Sequence, residues 1–100
     1  MIYITQLIYI EPGKEKEFEN FESVVIPLIE KYNGRLLFRL RPAEDAYISF
    51  LGERPYEVHF AEFDSEQDFR NYGNDPERLE NLYLKDISVR TSMVIMGNRL

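Results

Sequence analysis

Four β-rich runs and two helical segments in the order β-α-β-β-α-β predict an α+β fold, a four-stranded antiparallel sheet with both helices on one face. Two kinds of observation carry this reading: strand-like runs of β-branched and aromatic residues, and turn or capping signals at the ends of those runs. Ile2 to Ile10 is the first such run and stops at Glu11-Pro12-Gly13, a turn signal. From Lys14 the apolar residues Phe18, Phe21, Val25, Leu28 and Tyr32 recur every three or four positions, predicting a helix. Asn33-Gly34 supplies its C-cap, and Pro27 inside it should kink it. Arg35 to Arg41 and Tyr56 to Phe63 read as a hairpin of strands joined by a long connection, Pro42 to Pro55. Ser65 with Asp68 resembles a capping box for a helix over Glu66 to Tyr72. Asp75-Pro76 is an N-cap and N1 pair for a helical piece reaching about Lys85, and Ser88 to Gly97 is the last strand.

This is the split βαβ order of ferredoxin-like domains, and no repeat or linker divides residues 1-100, so a single domain is expected. A sheet with helices on one side leaves its other face bare, to meet solvent or another sheet. Composition narrows the partners. The net charge is -6 and the basic residues are scattered among acids, which argues against nucleic acid and against anionic membrane surfaces. The absence of cysteine excludes disulfides, thiolate metal sites and a cysteine nucleophile. MIYITQLIYI is too short for a membrane span and lacks the flanks of a signal peptide, so a cytoplasmic protein is expected.

Alternation along the strands divides the sheet into two candidate faces. The aliphatic set, expected to pack on the helices, is Ile2, Ile4, Ile8 and Ile10 with Leu36, Phe38, Leu40, Val58, Phe60, Thr91, Met93 and Ile95. The other set mixes aromatic bulk with charge: Tyr3, Thr5, Leu7 and Tyr9 with Leu37, Arg39, Arg41, Glu57, His59, Ala61, Phe63, Arg90, Ser92, Val94 and Met96. Gln6 and Glu62 interrupt the aliphatic set and mark where a bulge or a one-residue slip would exchange assignments. If Arg41 faces Glu57 in the hairpin, Arg39 faces His59, because partner numbers in an antiparallel pair sum to a constant.

The segments IYITQLIYIEPGKEKEFENFE, YNGRLLFRLRP, PYEVHFAEFDSEQDF and NDPERLENLYLKDISVR with VIMG resemble the family called domain of unknown function 1330, of the dimeric α/β-barrel superfamily. The resemblance implies a ferredoxin-like protomer whose sheet pairs with that of a second copy, making the chain a homodimer and the pair a dimeric α/β barrel. Members of that superfamily include cofactor-independent monooxygenases, haem-degrading enzymes, isomerases and proteins with no assigned activity. With one histidine and no tryptophan, this chain lacks the residues expected for haem work.

The candidate catalytic residues are His59, able to carry a proton near neutrality, and Glu57, able to orient it. Arg39, Arg41 and Arg90 are candidate ligand-binding residues, since a guanidinium presents paired donors to a carboxylate or phosphate, and Tyr3 could add a hydroxyl. Each has a structural alternative: His59 as a hydrogen-bonded strand residue, the arginines as partners of acids, Tyr3 as an interface ring. No metal-ligand spacing, phosphate loop or nucleophile elbow occurs, so neither a metal nor a cofactor is expected. The leading expectation is a homodimeric protein binding a small organic anion or aromatic compound, able to act as a cofactor-independent enzyme. Its rival is a non-catalytic assembly module whose charges only set register between two sheets.

Overall fold

The computed structural model describes residues 1–100 and consists of β1 (Ile2–Ile10), α1 (Glu15–Leu28), β2 (Gly34–Leu40), β3 (Glu57–Phe63), α2 (Glu66–Gly73), α3 (Pro76–Glu80), α4 (Leu82–Ser88) and β4 (Val89–Asn98). The strands form one antiparallel sheet in the order β2-β3-β1-β4, with the helices on one face. No helix is long and apolar enough to cross a membrane.

Helix α1 buries Phe18, Phe21, Glu22 and Val25. Pro27 has no N–H to bond back to the preceding turn, and directly after it the chain tightens into a 3₁₀ turn, Ile29–Tyr32. Ile29, four residues after Val25, continues the buried stripe, while Leu28 is only partly buried. Asn33 ends the turn in the left-handed region (φ 58°), the capping role expected of it. Ser65 Oγ accepts from the Asp68 backbone N–H at 3.1 Å, as the capping box requires. Asp75 caps α3 by accepting from the amides of Glu77 and Arg78 at 2.8 and 3.1 Å. The expected single helix to Lys85 is instead two, α3 and α4, broken at Asn81.

Ile2, Ile4, Ile29 and Phe63 make a buried cluster, with Leu36, Phe69 and Tyr72 packed against it. Gly34 is required there: a Cβ on it would stand 2.5 Å from Phe63 Cε1 and 2.8 Å from Ile29 Cγ2.

Register overturns part of the face assignment. β1 pairs with β3 so that Ile4 meets Ala61, Gln6 meets His59 and Ile8 meets Glu57. The odd-numbered residues of β3 therefore share the helix-covered face with the even residues of β1. In β4, Ser92, Val94 and Met96 oppose Ile8, Gln6 and Ile4 and lie on that same face. A shift in β2 between Leu36 and Phe38 leaves Leu36 and Arg39 toward the helices and turns Phe38 and Leu40 outward. Phe38, Leu40, Val58, Phe60, Thr91, Met93 and Ile95, expected under the helices, are thus on the bare face with Tyr3, Thr5 and Leu7. That face is apolar and open, with Phe38 47%, Met93 52% and Ile95 53% exposed. The physical reason for the misreading is that both faces of this sheet are largely apolar, so hydropathy alone does not set the parity of one strand against another.

Candidate functional site

Strand β3 presents Glu57 and His59 to helix α1, and β2 brings Arg39 alongside them, with Arg39 opposite His59 in the register the hairpin was expected to take. The element missing from the sequence reading is Glu22, which α1 places directly over these residues. His59 Nε2 hydrogen-bonds Glu57 and lies 2.8 Å from Glu22 Oε2. Arg39 Nη2 donates to Glu22 Oε1 at 2.9 Å and to Glu57 Oε1 at 3.3 Å. Arg41 Nε donates to the same Glu57 oxygen at 3.0 Å and its Nη2 reaches Glu19. Glu22 and Glu57 are 3% and 1% exposed and His59 13%, while both arginines come in from the protein surface.

Such deeply buried carboxylates need partners. Burial opposes ionisation of Glu57, but hydrogen bonds from His59, Arg39 and Arg41 outweigh it and hold the carboxyl down to about 2. Burial likewise opposes the imidazolium, and the neighbouring Glu22 and Glu57 carboxylates overcome it, pushing His59 up to about 9. Glu22 moves the other way: burial raises it, and His59 only partly offsets that. One atom is left over. Nε2 has a single hydrogen, given to Glu57, so Glu22 Oε2 is in charge contact with the ring but accepts no hydrogen bond.

Glu22, Glu57 and His59 each offer a ligand atom within 4.8 Å of the others, a grouping that could hold a cation. Spacing could not reveal it, because one member comes from a helix far away in sequence. The charge count favours a proton over a metal ion. Glu19, Glu22 and Glu57 are matched by Arg39, Arg41 and protonated His59, whereas a divalent ion with neutral His59 would leave the cluster positive.

Beside this cluster a cavity of about 190 Å³ opens between sheet and helices. Its walls are mostly apolar, including Phe18, Phe21, Val25, Phe63, Phe69 and Tyr72, with Gln6, Glu22 and His59 forming a polar side. The site is therefore inside the single chain, under the helices, and not between two facing sheets as the face assignment implied.

Of the residues singled out from sequence, His59, Glu57, Arg39 and Arg41 come together. Tyr3 does not; its ring stacks on Phe60 on the bare face, centroids 5.7 Å apart. Arg90 sits where β4 shifts register against β1, over the Tyr9 ring at 5.8 Å, and pairs with Glu53 of the long connection. Glu22 had a sequence signal: it falls four residues after Phe18 and three before Val25, an acid within an apolar helical stripe.

No protein-family model matches the chain, and no curated protein does. Solved structures do. A protein of unknown function from Rhodopseudomonas palustris, RPA0582, aligns over 99% of this chain and 82% of its own with a TM-score of 0.82 and 19% identity. A protein from Nitrosomonas europaea described as a candidate antibiotic biosynthesis monooxygenase aligns over 100% and 99%, with a TM-score of 0.76 and 10% identity. A dimeric protein of unknown function and ferredoxin-like fold from Bacteroides fragilis aligns over 98% and 95%, with a TM-score of 0.72 and 14% identity. The fold is ferredoxin-like. At these identities the likeness extends to the fold alone.

Proposed function

We propose that this chain is the protomer of a homodimeric, cofactor-independent protein that binds a compact, largely aromatic molecule between its sheet and helices and exchanges a proton with it. The observation that carries this is an apolar cavity with Glu22 on its wall, a buried carboxylate whose Oε2 accepts no hydrogen bond. A hydroxyl or enol entering the cavity supplies that donor. Burial makes Glu22 a stronger base than a free carboxylate, and the His59 imidazolium 2.8 Å away stabilises the anion left when the proton moves. Arg39 and Arg41 anchor the two carboxylates from outside and are not free to clamp a ligand anion. The roles thus change from those expected: Glu22 is the base, His59 the electrostatic partner, Glu57 its orienter.

The bare face supports the dimer. Contiguous exposed apolar residues on a sheet face are covered by association in most soluble proteins, and a second copy of the same face is self-complementary. The resemblance to domain of unknown function 1330 and the dimeric relative of the same fold agree with this reading. The assembly module is the second reading, since the same face favours association whether or not the cavity binds anything.

Titration of the protein with phenol, followed by thermal melting and by the His59 ring resonances, tests the first reading. Phenol should raise Tm and shift those resonances, and Glu22→Gln should weaken binding by about tenfold, the effect of losing a hydrogen bond to a charged group. Absence of any phenol-dependent change in the unaltered protein would leave only the assembly reading. Phe38→Asp, on the bare face, should convert dimer to monomer in light scattering without loss of helix or strand signal.

A further inference from the structure

The cavity has a second polar end that the proton-exchange cluster does not use. Arg78 of α3 and Lys85 of α4 both line it, together with Ser92 of β4. Neither cation enters an ion pair. Arg78 spends one nitrogen on the Gly73 carbonyl at 3.1 Å and lays its guanidinium over the Phe21 and Tyr72 rings, but its Nε is buried with no acceptor. Lys85 is lowered by burial and further by the Arg78 charge, and Asp86 acts on it only at a distance. Elsewhere in this acidic chain the arginines at positions 35, 39, 41, 70 and 90 all hold carboxylates. Arg54, Arg99, Lys14 and Lys16 also lack an ion pair, but Arg78 and Lys85 are the unpaired cations that line the cavity.

The sheet sets the width of the cavity floor. Gln6 of β1 lies between His59 of β3 on one side and Val94 of β4 on the other. Strands two places apart stand about 10 Å from each other, close to the length of a benzene ring with a substituent at each end. Volume agrees. An apolar cavity of about 150 Å³ takes benzene, and this one, about 190 Å³, leaves room for a small added group.

Resting on the reading of the cavity given above, we propose that its ligand is a small aromatic carboxylate of benzoate size, with the carboxylate on Arg78 and Lys85 and the ring among the aromatic walls. A hydroxyl on the ring points to Glu22 and His59. The carboxylate supplies the acceptor that Arg78 Nε lacks, as the hydroxyl supplies the donor that Glu22 Oε2 lacks.

Binding of benzoate, benzamide and toluene to the full-length protein, matched in size and differing in charge and polarity, tests this by thermal shift and NMR titration. Benzoate should bind at least about tenfold more tightly than benzamide, as expected for hydrogen bonds to charged groups. Lys85→Met, which keeps the apolar stem, should reduce that preference to about twofold and leave toluene binding unchanged. If all three bind equally to the unaltered protein, the anionic end is overturned while the cavity reading stands. Should none perturb the cavity, both fall. A preference for benzoate that survives in Lys85→Met and in Arg78→Gln also overturns the assignment.

Discussion

Replacing His59 by Gln should remove a specific slope from the pH dependence of stability. The native imidazole is raised from 6.5 to about 9, and its ring is 13% exposed, enclosed by Glu22 from α1, Glu57 from its own strand and Arg39 beyond them on β2. A raised pKa means that the native state keeps a proton the unfolded state has lost. The contribution is fully present below pH 6.5 and disappears as pH rises through 9. One proton of difference gives about 1.4 kcal/mol per pH unit, so the window holds roughly 3 kcal/mol. Glu57, held down to about 2, acts with the opposite sign and outside this window: its contribution is present above its ordinary 4.5 and is lost as pH falls toward 2. Tyr32, Tyr56 and Tyr72 are raised and act above pH 10. Urea melts by far-UV circular dichroism suit a chain without tryptophan, and protein concentration must be fixed because the proposed association would add to stability. The gap between the unaltered protein and His59→Gln should shrink by about 3 kcal/mol between pH 6.5 and 9.5. A gap that is constant across that range would refute the charged-histidine account of the cluster.

Arg39→Ala should destabilise the chain by about 2 kcal/mol, less than for a fully buried pair because the guanidinium is 41% exposed. It should leave the proposed dimer intact, since Arg39 lies on the helix face; a change in association state in light scattering would contradict that placement. Gly34→Ala should cost about 1–3 kcal/mol in urea melts, because the new methyl meets the buried Phe63 ring at 2.5 Å. An unchanged midpoint would mean that Phe63 has room to move.

Most of the fold was legible in the sequence because it rests on local signals. The run Ile2 to Ile10, the capping serine at 65, the Asp75-Pro76 pair and Asn33 each act through neighbours a few residues away, and each element begins or ends where those residues put it. The pairing of Arg39 with His59 was also legible, since one assumed contact in a hairpin dictates the rest. Which side of the sheet they faced was not. That depends on the offset between β1 and β3, two strands separated by a helix and a hairpin arm, and with apolar residues at both parities no local pattern sets it. Glu22, Arg78 and Lys85 joined the site for the same kind of reason. Arg78 and Lys85 are ordinary charged residues in their own helices, and Glu22, though an acid in an apolar stripe, has no partner on its own helix; all three become cavity groups only when packing closes the helical layer over the sheet. The sequence by itself determined the elements, their order and the hairpin's internal register; the tertiary structure alone decided the parity of the sheet, and with it that the charged cluster is enclosed within the single chain while the apolar face is left open.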